Sequence, residues 1–222
     1  MTNQSFRSEK LSSGTKVAMQ DNIHSIHIHK GNELILGDFA NPCLDNASVC
    51  SSFSISFLVY ISGSVELSEN VYVLDSNSSL SRKGPYHVEF YVTRSSPARL
   101  EGHAFVVGGN SSKLLEREIT FPATDSWVHV AIVYSSPGSL VLYVNSVVVT
   151  PSDPVIPTDW QGTNSPVQVS LGSEENSRDI FVSYLQIIKG TLSPSEVAQV
   201  EKESRAQGNL NLWLTKHFWP YF

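Results

Sequence analysis

Residues 127–145, WVHVAIVYSSPGSLVLYVN, hold two apolar runs hinged on Ser135-Ser136-Pro137-Gly138. In the first, Val128, Val130, Ile132 and Tyr134 recur at period two. In the second, Leu140, Leu142 and Val144 do the same, so each run owns one fully apolar face. The opposite side of the first run carries Trp127, His129, Ala131 and Val133, mixed rather than charged, which predicts a strand in the middle of a sheet. Pro137 presets φ and Gly138 accepts a positive φ, so the pair supplies a tight turn. The pattern predicts an antiparallel hairpin.

Comparable segments recur along the chain: Ile23–His29, Glu33–Leu36, Phe53–Ile61, Val71–Leu74, Tyr86–Thr93, His103–Val107, Leu114–Thr120, Trp127–Tyr134, Leu140–Val149, Val167–Leu171 and Ile180–Ile188. Clusters of Gly, Ser, Asn and Pro separate them. This spacing, with little helix, predicts an all-β fold, an antiparallel two-sheet jelly-roll sandwich. One short C-terminal helix is expected, because Ser193-Pro194-Ser195-Glu196 offers a capping serine, a proline at the first helical position and a glutamate at the third. Gly208 then bounds it. Residues 1–15 are polar, without a periodic apolar face, and are expected to be poorly ordered. Residues 16–206 form one sandwich domain in this reading, and residues 207–222 form an aromatic tail. The tail, with Trp213, Phe218, Trp219, Tyr221 and Phe222, has three readings: it packs on the sandwich, inserts at an interface, or is a truncated or misread continuation.

At 222 residues and 41% hydrophobic content the chain can bury a substantial core. Fifteen basic residues against 21 acidic ones give a net charge of −6, and no Lys/Arg run could track a phosphate backbone, so nucleic acid is not an expected partner. No segment approaches the roughly 18–20 continuous apolar residues of a membrane span, nor does the polar start resemble a signal peptide. Cys43 and Cys50 are an isolated close pair, expected to form a small disulfide clamp, with two free thiols as the alternative. Asn-x-Ser/Thr sequons occur at Asn3, Asn46, Asn77 and Asn110. Together these features read as a secreted or ectodomain fragment.

Several segments resemble a known family. GNELILGDF, a short cysteine loop and SSFSISFLVYI are similar to the entry of a laminin G-like domain of the concanavalin A-like superfamily. WVHVAIVY…GSLVLYVNS resembles that family's central hairpin, and VQVSLGSEENSRDIFVSYLQIIKGTLSPSEV resembles the pentraxin version, with a Leu-Gly strand end, an acidic loop, a last strand and a Leu-Ser-Pro-x-Glu helix. The chain departs from the pentraxin pattern at Ala131 and Tyr134, where Cys and Trp are usual, and at Leu58, Ser146 and Val182-Ser183-Tyr184. The resemblance implies a diverged laminin G/pentraxin-like domain. It also implies a possible calcium site: Glu174, Glu175 and Asn176 stand where the matching loop supplies oxygen ligands, with Asp75 and Asn77 for the second ligand group. The alternative is a solvated acidic turn.

His27 and His29 share one strand face, and His-x-His chelates zinc when a third ligand arrives. No partner is evident in the sequence, so exposed imidazoles opposite buried Ile26 and Ile28 are the favoured reading. His129 is expected to be structural. Catalysis is not expected. Glu116 and Glu118 share a face but lack a third acid, and neither a Glu-x-Asp-x-Glu motif nor a Gly-x-Ser-x-Gly elbow occurs. The leading expectation is an extracellular recognition or adhesion module binding a protein or glycan through its rim loops, assisted by calcium. A structural ectodomain spacer and a glycan-active enzyme are the alternatives.

Overall fold

The computed structural model describes residues 15–20, 23–38, 44, 50–76, 86–97, 99–108, 111–135, 139–148, 155–157 and 168–206. In chain order its strands are β1 (Thr15–Gln20), β2 (Ile23–Ile28), β3 (Asn32–Asp38), β4 (Ser52–Ile61), β5 (Asn70–Asp75), β6 (Tyr86–Ser96) and β7 (Arg99–Gly108). They continue with β8 (Ser111–Thr120), β9 (Val128–Ser135), β10 (Ser139–Val144), β11 (Val147–Val148), β12 (Val155–Pro157), β13 (Gln168–Ser173) and β14 (Ile180–Lys189), and helix α1 (Pro194–Ala206) follows. Two seven-stranded antiparallel sheets result, ordered β1-β2-β14-β4-β9-β10-β11 and β12-β8-β7-β6-β5-β13-β3. This is the expected all-β jelly-roll sandwich, with the expected short helix after its last strand.

The core lies between the sheets because alternation delivers one apolar row from each strand. Phe53, Ile55, Phe57, Val59 and Ile61 of β4 meet Val88, Phe90 and Val92 of β6 and Ala104 and Val106 of β7. Val128, Val130, Ile132, Tyr134, Leu140, Leu142 and Val144 all face this core, as the hairpin's periodicity predicts. β9 is central, pairing β4 on one side and β10 on the other.

The other face of β9 is covered too. There Ala131, Val133 and Tyr143 pack with Val197 of α1, so the helix closes an apolar patch that two-sided burial would otherwise leave wet. A reciprocal capping box starts α1: the Ser193 amide donates to Glu196 Oε2 at 2.8 Å, and the Glu196 amide to Ser193 Oγ at 3.3 Å.

β1 and β12 were not expected from the pattern. Leu140–Val149, expected as one strand, is divided by a turn at Asn145 and Ser146, both at positive φ (48° and 60°). Expectations for residues 1–14, the 207–222 tail and the Pro137-Gly138 turn lie outside the described residues.

Candidate functional site

The outward face of the second sheet is unlike an ordinary solvated one. Val88, Phe90 and Val92 point to the core, so alternation sends His87, Glu89, Tyr91 and Thr93 outward from β6; Glu101, His103 and Phe105 leave β7 the same way, and Glu116 and Glu118 leave β8. Strand register lines these up in two rows. Asp75 stands opposite Glu89, Glu89 opposite Phe105, and Phe105 opposite Glu116. Beside them run Tyr72, Tyr91, His103 and Glu118.

Within this face the Tyr91 and His103 rings are parallel, 4.9 Å apart, and Phe105 meets His87 edge-on at 5.1 Å. His87 Nε2 donates to Asp75 Oδ1 at 3.0 Å and lies 3.7 Å from Glu89 Oε2. Carboxyl oxygens of Asp75 and Glu89 lie within 4.8 Å of each other. Burial, then the neighbouring Asp75 carboxylate, pushes the Glu89 pKa up to about 7, although His87 opposes the shift. Burial and Glu116 push Tyr91 to about 12. Arg99 bridges Glu101 and Glu118, at 2.7 Å to each. Burial raises the Glu101 pKa, but the Ser95 hydroxyl and the Arg99 guanidinium outweigh it and hold the carboxyl low. Carboxyl groups, aromatic rings and imidazoles therefore alternate across four strands, with one guanidinium among them.

Glu116 and Glu118 were visible in the sequence as a same-face pair. Their missing companions, Glu89 and Glu101, come from neighbouring strands. The signal that could have found them is the alternation of His87, Glu89 and Tyr91 against Val88, Phe90 and Val92, and of Glu101, His103 and Phe105 against Ala104 and Val106.

The acidic loop between β13 and β14 does something other than gather the expected calcium ligands. Asn176 is 4% exposed, and its side chain pairs with the Tyr72 backbone in both directions, accepting from the amide and donating to the carbonyl at 2.8 Å each. Its carbonyl also accepts from the Gly31 amide at 2.7 Å. The amide is thus occupied as a splice between loop and strand. Glu174 and Glu175 are exposed, whereas Asp75 stands opposite Ser170, three residues up β5 from Tyr72 and roughly 10 Å from where the loop is anchored. The structure therefore separates Asp75 from Glu174, Glu175 and Asn176, and places Asp75 with His87 and Glu89. Asn77 lies outside the described residues, as do Asn3, Asn46 and Asn110.

The same loop ends on Asp179, which the sequence reading did not single out. Its Oδ2 accepts from His27 Nε2 at 3.0 Å and His29 Nδ1 at 3.3 Å, and its Oδ1 accepts from the Lys30 amide at 2.8 Å. Burial raises the Asp179 pKa, but the Lys30 amide and His27 outweigh it and keep the carboxyl below its ordinary value. The two histidines are therefore not simply exposed imidazoles. Their partner arrives from 152 residues away.

His129 is fully buried and shares a 2.8 Å hydrogen bond with Ser56 Oγ, while Glu201 Oε2 lies 4.0 Å from its Nδ1. Serine, histidine and glutamate in this order suggest a nucleophile and its base. Ser56 is also fully buried, so this pair lies away from solvent. Cys50 is buried and holds no free thiol, while Cys43 lies outside the described residues.

Among the described residues no helix is long and apolar enough to cross a membrane. A laminin G-type family profile, described as the concanavalin A-like lectin/glucanases superfamily, matches residues 38–198. No relative is found among curated protein sequences. Similar solved structures include the receptor-binding domain of botulinum neurotoxin C/D mosaic serotype, at 16% identity and a TM-score of 0.61, covering 85% of this chain and 45% of that one. The binding domain of botulinum neurotoxin DC in complex with SialylT has 16% identity and a TM-score of 0.58, with 86% and 45% covered. The same domain in complex with rat synaptotagmin II has 14% identity and a TM-score of 0.57, with 86% and 45% covered. The chain spans a little under half the length of these structures, and at such identities the likeness establishes the fold.

Proposed function

This chain belongs to the laminin G-type branch of the concanavalin A-like lectin/glucanase superfamily, and from that premise we propose that it is an extracellular recognition module whose ligand, a neutral glycan, binds the outward face of the second sheet. The observation that carries this reading is the pair of registered rows, Asp75-Glu89-Phe105-Glu116 and Tyr72-Tyr91-His103-Glu118. Sugars present hydroxyl donors and apolar ring faces. Carboxylates accept from hydroxyls in charge-assisted hydrogen bonds, and half-buried aromatic rings cover the faces. Sialylated or sulfated glycans would meet the carboxyl groups and be repelled. The similar solved structures support a recognition role for the fold, since they include complexes with SialylT and with rat synaptotagmin II.

A glycan array probed with the full chain tests this. Neutral oligosaccharides should bind, and Tyr91→Ala or Phe105→Ala should weaken binding at least tenfold while the fold is retained. Binding that is confined to acidic glycans, or unchanged in both variants, would overturn it.

One observation favours a second reading. Carboxyl oxygens of Asp75 and Glu89 approach within 4.8 Å, somewhat closer than the roughly 5–5.5 Å of a retaining glycosidase's nucleophile and acid, and Glu89 has the raised pKa of a general acid. The acids the sequence lacked on one strand are assembled from two. Release of reducing ends from a bound oligosaccharide, lost in Asp75→Asn, would select this reading; binding without turnover selects recognition.

A further inference from the structure

His27 and His29 sit on the outer side of the first sheet, on the far side of the molecule's core from the rows described above. Pairing of β2 with β14 sets Phe181 opposite His27, and the loop entering β14 brings Asp179 to the end of β2. We propose that His27, His29 and Asp179 form a three-ligand site for a zinc-class divalent cation. The geometry carries this. With bonds of about 2.0–2.1 Å to nitrogen and oxygen, the ligand atoms of a tetrahedral zinc site stand about 3.3–3.4 Å apart. Asp179 Oδ2 lies 3.0 Å from His27 Nε2 and 3.3 Å from His29 Nδ1, and all three donor atoms fall within 4.8 Å of one another. Both distances to Asp179 are within a few tenths of an ångström of those around a bound ion.

The supporting contacts match the task. The Lys30 amide holds Oδ1, leaving Oδ2 to bind in monodentate fashion, and the His27 ring lies flat against Phe181 at 4.2 Å with an 8° interplanar angle, which fixes its orientation. On binding, each neutral imidazole carries its proton on the other ring nitrogen and presents a lone pair to the ion. Two imidazoles with one carboxylate select zinc or a similar transition metal over calcium, which takes oxygen ligands. The His29 and Asp179 side chains are 38% and 31% exposed, so an ion can enter from solvent. Three protein ligands leave the fourth tetrahedral position for water or for a donor from an incoming partner.

Zinc chloride titrated calorimetrically into the chelator-treated full chain at pH 7.5, with cobalt(II) as a spectroscopic probe, tests the proposal. One equivalent should bind, cobalt should show the intense visible bands of a four-coordinate site, and excess calcium should not compete. His29→Gln and Asp179→Asn should each weaken zinc by more than about 100-fold, beyond what loss of a merely supporting partner costs. Glu174→Gln, in the exposed part of the same loop, should bind as wild type does. Metal-free melting temperatures identify which variants remain folded, and His29, half exposed, is the substitution the fold tolerates best. Absence of binding heat and cobalt bands in wild type, or equal zinc affinity in folded His29→Gln, would show a hydrogen-bonded trio only. Neither result bears on the second sheet, whose ligand test is separate.

Discussion

His129 and Glu89 show opposite consequences of burying a titratable side chain. Burial pulls the His129 pKa down to about 4, with Glu201 opposing and Arg205 reinforcing the shift. The unfolded chain takes up this proton near pH 6.5, so stability falls as pH drops from about 6.5 to 4. Glu89 does the reverse. The folded state keeps its proton up to about pH 7 while the unfolded state releases it near 4.5, so stability falls as pH rises through that window. Between about pH 4.5 and 6.5 the two slopes oppose each other. Glu89→Gln should therefore match wild type near pH 4 and exceed it at pH 8 by up to about 3 kcal/mol, measured as a shift in urea midpoint. Equal midpoints at pH 8 would mean that Glu89 titrates normally. Asn176 shows what a single amide can do by geometry alone. Asn176→Ala leaves the Tyr72 N–H and C=O without their partner and should cost about 2–4 kcal/mol.

At the scale of elements, local chemistry explains each boundary that the sequence showed. The serine and glutamate that predicted the start of α1 form the capping box found there, and Ser193→Ala should destabilise the protein by about 1 kcal/mol in thermal or urea unfolding. The helix's function is less local. It seals the outer face of β9 and β10 through Val197, and it docks on the Asn145-Ser146 turn, where Ser146 Oγ donates to Glu201 and Arg205 donates to Asn145 Oδ1 at 2.9 Å. The loop from Gly172 to Asp179 is an element in its own right. Gly172 takes φ +75°, and a Cβ there would stand 2.9 Å from the Asn32 carbonyl oxygen. Gly172→Ala should therefore displace the turn before β3, loosening Asp179 and with it the two histidines. Hydrogen exchange at Lys30 and Gly31 would report the change.

Across the whole molecule the sandwich presents two outward faces, one on each sheet, with different chemistry. The aromatic series His27, Phe181, Tyr60 and Trp127 crosses the first sheet, and the carboxyl and aromatic rows cross the second. Their separation makes them independently testable, since substitutions this far apart add without coupling. A clamp between Cys43 and Cys50, as expected from the sequence, would close the segment leading into β4, next to the core at Cys50, whose carbonyl accepts from Tyr86 Oη at 3.0 Å. Peptide mapping without reduction should recover the two cysteines joined, and free thiols after secretion through an oxidising compartment would contradict the pairing. Closing so short a ring should contribute roughly 2–3 kcal/mol.

The sequence by itself determined most of the strands, though not β1, β12 or the break after β10, together with the direction their side chains face, the centre of the first sheet and the helix cap, because these follow from period-two alternation and from contacts within a few residues. It placed Glu116 beside Glu118 and His27 beside His29 for the same reason. Tertiary structure alone decided what those pairs meet. Glu89 reaches Asp75 only through the register of β5 against β6, and Asp179 reaches the histidines only because β14 pairs with β2. Asn176 lost its expected place among metal ligands because the backbone of Tyr72, 104 residues distant, offered its amide a donor and an acceptor. Backbone hydrogen bonds between remote strands fix such meetings, and those bonds are the same whatever the side chains are, so the local pattern carries no record of them.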